Sequence, residues 1–222
     1  MTKTYDLTTG SLAKHFMRLA VPAAIGMVFS TLYNVVDVFF AGMIGTDAQA
    51  GLAISFQAFF IFVTIGFGLS AAMTALVGNA IGAKKTTDAS IIAAQGIGFS
   101  IVTSVLLIVA ARFIGPHLLA IISTEGAYRT AGEAYFMVLI LSLPGFIMGY
   151  GLNGILQAQG DTVSMQYALI GAFFANIGLN PLMMFGIPGI WGGLGFDGIA
   201  AATVISQTSV MVYIGFRLMR SG

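Results

Sequence analysis

The sequence predicts an all-α polytopic membrane protein with six transmembrane helices, and three observations carry that prediction. Of the 222 residues, 58% are hydrophobic and only 8% are charged, where a soluble domain carries roughly 25% charge. Long stretches such as Leu19 to Val36 and Ile91 to Ala111 hold no charge at all, and about 20 apolar residues match a bilayer core of about 30 Å. A soluble chain of this length still exposes about a third of its unfolded surface, too much to hide so large an apolar fraction.

The six segments run over 17–44, 52–80, 91–114, 132–157, 165–187 and 198–219. The first follows a polar start, MTKTYDLTTG, with no cleavable signal, so this helix is expected to serve as its own insertion signal. IGTDAQAG closes it. GAKKTTDAS closes the second segment, IGPH and STEGAYRT the third, AQGDTVS the fourth and GIPGIWGGLGFDG the fifth. Glycine, proline and small polar residues of this kind mark turns. Little chain is left for loops, so 1–222 reads as a single six-helix unit with no soluble domain.

Lysine and arginine set the orientation. With the N-terminus inside, Lys3, Lys14, Arg18, Lys84, Lys85, Arg217 and Arg220 fall on the cytoplasmic side, and only Arg112 and Arg129 fall outside. Both termini are therefore expected in the cytoplasm. The net charge of +1 gives no reason to expect nucleic acid as a partner, and the partner the composition demands is the lipid bilayer. The absence of cysteine removes thiolate metal sites and thiol catalysis. His15 and His117 lie near segment ends.

Several chemistries fail on motif. GNAIGAKKT at 78–86 is superficially similar to a phosphate-binding loop, but its spacing is wrong and no strand precedes it. No ATP site and no other cofactor is expected, so any pumping would draw on an ion gradient. There is no HExxH and no TVGYG-like filter. One carboxylate at membrane depth is too few for an aspartyl protease. The chain does not read as an enzyme.

Most of the 29 glycines read as helix-packing positions. The prolines are more selective. Pro22, Pro144 and Pro181 lie within the first, fourth and fifth segments, where each removes one helical hydrogen bond. Pro181 frees the carbonyl of Ile177, between Asn176 and Asn180. Such a kink is either a simple bend or part of a cation site.

Asp37 is the most informative residue. It stands well inside the first segment, and an aspartate at the centre of a membrane helix costs about 2.5–3.5 kcal/mol on insertion scales. Such a residue is either structural, held by neighbouring hydroxyls and amides, or part of an ion or proton route. Ser30, Tyr33, Asn34 and Asp37 are spaced by three and four and share a helix side. Asn176 and Asn180 form a matching patch one turn apart, and Tyr135, Asn153 and Thr203 add oxygen donors. A carboxylate with amide, hydroxyl and carbonyl oxygens suits a hard cation such as sodium. The same group could instead take up a proton, because loss of water disfavours its charged form.

At these residues the chain resembles the multidrug and toxic compound extrusion (MATE) family of the MOP superfamily. The segments that carry the resemblance are LAVPAAIGMVFSTLYNVVDVFFAGMIGTDAQAGLA (19–53), GLSAAMTALVGNAIGAKK (68–85) and AYFMVLILSLPGFIMGYGLNGILQAQGDTVSMQ (134–166). ANIGLNPLMMFGIPG and GLGFDGIAAATVISQ complete the ordered set. The resemblance implies the N-terminal six-helix lobe of a twelve-helix transporter in a bacterial-type inner membrane. Two such lobes alternate access around a V-shaped cavity, exchanging cationic amphipathic compounds for sodium or protons. It implies further that Asp37, Asn176, Asn180, Tyr135, Asn153 and Thr203 form the cation site, and that Pro22 is the first-helix proline. Similar sequences often have an acid at the position of Asn180, so the site here carries one negative charge in place of two.

The resemblance covers only one lobe. The other is missing, so the resemblance implies either a fragment or a half-sized transporter that pairs with another chain or a second copy, and the end GFRLMRSG, stopping where the family's inter-lobe linker begins, favours a fragment. Two alternatives stand beside the antiporter. One is a flippase of lipid-linked precursors, which would carry basic residues in its cavity; the other is a non-transporting assembly module.

Overall fold

The computed structural model of the chain describes residues 11–221, and these are almost entirely helical. They form α1 (Leu12–Ile44), α2 (Thr46–Gly82), α3 (Thr86–Ile122), α4 (Ala127–Leu139), α5 (Leu143–Ala158), α6 (Ser164–Phe185) and α7 (Asp197–Ser221). A 3₁₀ turn at Ile140–Ser142 joins α4 to α5, so the two make one crossing. The six resulting segments are each long and apolar enough to span a bilayer, and the protein is an integral membrane protein. Alternation gives two faces. The terminal face holds the start of α1, the α2–α3 and α5–α6 turns and the end of α7; the distal face holds the other three connections. Lys3 lies outside the described residues.

Helices α2 and α4–α5 form the centre, with Phe59, Phe62, Val63 and Leu69 of α2 packed among Leu139, Leu143 and Ile147. In lipid the hydrophobic effect does not drive helices together, so small residues that admit close contact matter most. At the α2–α4 crossing a Cβ on Gly51 would lie 2.9 Å from the Gly132 amide nitrogen. The Ser55 hydroxyl seals this crossing, 2.7 Å from the Gly51 carbonyl and 2.8 Å from the Gly132 carbonyl. Nearer the terminal face the Thr74 hydroxyl donates to the Gly154 carbonyl of α5 at 3.1 Å. Around this centre α1, α3 and α6 expose apolar side chains such as Val35, Leu106 and Phe174.

The 3₁₀ turn follows from Pro144. A proline has no N–H for the carbonyl four residues back, here Ile140. The Leu143 amide bonds the Ile140 carbonyl instead, tightening the turn. That leaves the Leu139 carbonyl free, and the Ser142 hydroxyl takes it at 2.6 Å. The fourth segment is therefore broken in the middle, next to the proline at which the sequence places a kink.

Two predicted joints are corrected. Gly115, Pro116 and His117 were expected to end the third span, yet α3 continues to Ile122. Pro116 sits inside the helix, and beside it Gly115 is buried against the ring of Phe136, which leaves no room for a side chain. IGTDAQAG reduces to the single non-helical residue Gly45, with α2 starting at Thr46. The remaining helices extend the predicted spans by a few residues, or trim them, as α6 does in ending at Phe185.

Candidate functional site

Four helices converge on Asp37. Tyr33 and Asp37 are one turn apart on α1, Asn176 and Asn180 one turn apart on α6, and Thr203 and Ser206 neighbours on one face of α7; Tyr135 comes from α4. All seven are buried, and Asp37, Asn176, Asn180 and Tyr135 have no exposed surface. The predicted polar face of α1 therefore divides. Tyr33 and Asp37 turn inward, whereas Ser30 and Asn34 are exposed, with the Asn34 amide donating to the Ser30 carbonyl.

Only neutral groups hold the Asp37 carboxylate. Asn180 Nδ2 donates to Asp37 Oδ1 at 2.7 Å and also reaches Asn176 Oδ1 at 3.0 Å. The Thr203 hydroxyl lies 3.4 Å from Asp37 Oδ2 and 3.3 Å from the Ile199 carbonyl. Its single hydrogen can serve one of these at a time, or be shared between them. The Tyr33 hydroxyl donates in turn to Thr203 Oγ1 at 3.2 Å. Among the described residues no lysine, arginine or histidine pairs with Asp37.

The cluster is also incompletely satisfied. Asn176 Nδ2, Asn180 Oδ1, the Tyr135 hydroxyl and the Ser206 hydroxyl are buried with no hydrogen-bond partner, and they are the only such side-chain atoms among the described residues. An unsatisfied buried polar atom costs about 1–3 kcal/mol, so this concentration marks where the fold holds polar atoms in reserve. Tyr135 stacks on Phe196 at 4.8 Å and lies within electrostatic reach of Asp37 and Tyr33.

Asn153 does not join the cluster, which corrects the sequence expectation. It is buried on α5, 18 residues beyond Tyr135 along the same crossing. At 1.5 Å per residue that is about 27 Å. Like Tyr135 it reads as an oxygen donor in the fourth span, but the 18-residue spacing between the two sets them at different depths. Pro181 leaves α6 unbroken with both asparagines on its buried face, and α1 likewise continues through Pro22. The sequence places Tyr33 only on a polar face and does not single out Ser206, three residues after Thr203, yet both are buried in the cluster.

A cavity adjoins the cluster. Phe56, Phe60, Phe67, Phe146 and Tyr150 wall it, and Tyr33 and Thr203 belong to both cavity and carboxylate site. No charged side chain lines it.

A second polar cluster lies on the terminal face. Asp161, in the α5–α6 turn, accepts from the Val163 and Ser164 amides at 3.2 and 3.0 Å and from the Ser164 hydroxyl at 2.6 Å. Arg217 of α7 reaches Asp161 Oδ2 and Ser164 Oγ, each at 2.9 Å. Burial alone would raise the Asp161 carboxyl, but the bonds from Ser164, Arg217 and Val163 prevail and hold it below the usual carboxylate range.

The comparisons with known proteins agree with this architecture. The MatE family model matches residues 22–182. The chain is 27% identical over 202 residues to the probable multidrug resistance protein YoeA of Bacillus subtilis, covering 87% of this chain and 43% of that protein. It is 24% identical to the FAD transporter of Shewanella oneidensis, covering 99% of this chain and 48% of the other. Among solved structures, a MOP superfamily transporter from Pyrococcus furiosus aligns with a TM-score of 0.85 at 24% identity, over 98% of this chain and 47% of that one. The chain thus spans about half the length of the curated relatives it matches.

Proposed function

The chain belongs to the MatE family, and from that premise we propose that it forms one lobe of a cation-coupled multidrug antiporter. The lobe would export cationic amphipathic compounds by alternating access in exchange for Na⁺ or H⁺, working with a second lobe or a second copy.

One observation carries the reading: a fully buried carboxylate held by two neutral side chains and no fixed cation. An unpaired buried charge costs several kcal/mol, so it is retained where a mobile positive charge supplies the missing partner. The donor set fits either ion. Asn180 Oδ1 has no partner, and turning that amide over would aim its oxygen at the carboxylate. Oxygens of Asp37, Asn180, Asn176 and Thr203 would then surround Na⁺, or Asn180 Oδ1 would accept from a protonated Asp37. A one-for-one exchange of a monovalent cation for Na⁺ or H⁺ moves no net charge, so its driving force is the ion's concentration gradient, about 1.4 kcal/mol per tenfold.

The cavity supports the substrate class. Its aromatic wall suits planar, positively charged compounds, whose charge the ring faces attract. A polyanion such as FAD, the cargo named for the Shewanella relative, would need basic side chains that this cavity lacks. The same lack counts against a flippase of lipid-linked pyrophosphates. Tyr33 and Thr203 give substrate and ion a shared wall, so occupancy of one side would be felt at the other through the Tyr33–Thr203–Asp37 chain of hydrogen bonds. Lys84, Lys85, Arg217 and Arg220 on the terminal face, against Arg112 and Arg129 on the distal side, support a cytoplasmic terminal face. An inner membrane of bacterial type is the corresponding location.

The deciding experiment is efflux by the complete transporter with Asp37→Asn. We expect ion-driven efflux to fall to background, while sodium and pH gradients imposed separately on the unmodified protein identify the coupling ion. Undiminished ion-driven efflux by Asp37→Asn would sink the mechanism.

A further inference from the structure

The α6–α7 connection on the distal face differs chemically from the other connections. Gly186 to Phe196 holds five glycines, Ile187, Pro188, Ile190, Trp191, Leu194 and Phe196, and no charged, hydroxyl or amide side chain. Each other connection carries charge in or beside it: Asp47, the Lys84–Lys85 pair, Glu125 and Asp161. Loops that face water are polar; this one is not.

It is nevertheless an ordered loop. Ile187 and Trp191 pair as an isolated bridge, with amide-to-carbonyl distances of 3.0 and 3.1 Å. Between them Ile187 to Ile190 closes a turn at 3.0 Å with Pro188 second and Gly189 third, the latter at φ 79°. Proline followed by a positive-φ glycine is the pattern of a type II turn. The loop then folds back on α6, where the Leu194 and Gly195 amides cap the Met183 and Met184 carbonyls at 2.8 and 3.0 Å. A Cβ on Gly186 would run into the Trp191 carbonyl and the Gly193 amide, so the fold-back depends on that glycine. Six of the loop's ten backbone N–H groups are bonded internally.

Yet part of its apolar surface faces outward. Ile190 is 77% exposed and Leu194 50%, next to Phe185 of α6 at 54%, while Trp191 and Phe196 are partly buried. Helix α6 has 22 residues, about 33 Å, so it only just crosses a hydrocarbon core of about 30 Å. The loop therefore starts at the edge of the lipid, continuous with the apolar outer surface of α6 at Phe174 and Ile177. Near lipid, backbone polar groups must be satisfied internally or by interfacial water, and tryptophan favours that boundary.

We propose that residues 186–196 are an interfacial anchor: a preformed loop that seats Ile190, Trp191 and Leu194 among the headgroups and upper acyl chains of the distal leaflet. It fixes the depth of α6 and α7, and with them Asn180 and Thr203. This inference rests on the membrane fold and is independent of the transport reading.

The sequence supplies its own probe, because the 222-residue chain contains one tryptophan, Trp191. The chain is reconstituted in phosphatidylcholine vesicles, and its fluorescence is compared with lipid brominated near the ester end of the acyl chains, lipid brominated near the methyl end, and aqueous iodide. Strong quenching by the first, weaker by the second and little by iodide is the expected result. Ile190→Asp, at a position with few contacts, should raise iodide quenching severalfold while helicity is unchanged. Quenching by iodide with indifference to brominated lipid overturns the proposal, placing the loop in water. Protection from all quenchers also overturns it, because protein would then cover the loop.

Discussion

Two buried aspartates stand at opposite ends of this lobe, and their surroundings could hardly differ more. Asp161, 7% exposed, is gripped by an arginine, a serine hydroxyl and two backbone amides. Asp37 has one amide and one long hydroxyl contact, with four unpartnered polar atoms in its cluster. A carboxylate with every lone pair answered locks a turn. One left partly answered is available for something that comes and goes. The first fastens the α5–α6 turn to the end of α7, so that the helices carrying Asn180 and Thr203 are tied together at the terminal face.

The largest expected effect is a split between the two. Asp37→Asn should abolish ion-driven efflux while thermal unfolding in detergent shifts little or upward, since a buried unpaired charge is removed. Asp161→Asn should do the reverse, lowering the unfolding temperature while the surviving protein still couples. A fold lost in both, or coupling lost in both, would erase the distinction.

Next in size is Arg217→Ala. It leaves Asp161 Oδ2 with only the Ser164 hydroxyl. Because the guanidinium is about a third exposed, water recovers part of the loss, and about 1–3 kcal/mol is expected from calorimetry or denaturant unfolding. A change below measurement error would show the clasp to be a surface pair of no consequence.

A smaller effect is the pH dependence of stability. The Asp161 carboxyl sits below its usual range when folded. Its contribution is therefore complete above the ordinary carboxylate range and is lost as pH falls through the lowered folded value. Unfolding temperatures measured across that acid range should show a stability loss that Arg217→Ala reduces. An identical acid limb in both proteins would assign it to other carboxylates.

These two sites were not equally legible in the sequence. Asp37, Asn176, Asn180 and Thr203 could be paired from sequence because polar residues inside apolar helices are rare and helical spacing sets their facing. Asp161 and Arg217, joined in the fold, could not, because each sits where charge is unremarkable, one in a turn and one at a helix end. Tyr135 and Asn153 share oxygen-donor chemistry and one span, but their 18-residue separation sets them at different depths, and the fold keeps Asn153 out of the cluster. Gly115–Pro116 reads as a stop because local propensity favours one, yet the helix runs on, and the Phe136 ring that requires a glycine at 115 comes from another crossing.

The smallest expected effect tests the same contrast with two serines. The Ser164 hydroxyl donates to Asp161 and accepts from Arg217, whereas the Ser206 hydroxyl is buried beside Thr203 with no partner. Alanine at either position removes one oxygen and little volume. Ser164→Ala strips two bonds from a satisfied network and should cost about 1–2 kcal/mol. Ser206→Ala removes an atom already lacking a bond, so its stability should change by less than about 0.5 kcal/mol or rise. A loss at Ser206 equal to that at Ser164 would mean that its hydroxyl is bonded in the membrane, by an ion or a water. The cluster around Asp37 would then be filled at rest, with ion release as the step that creates its unpaired atoms.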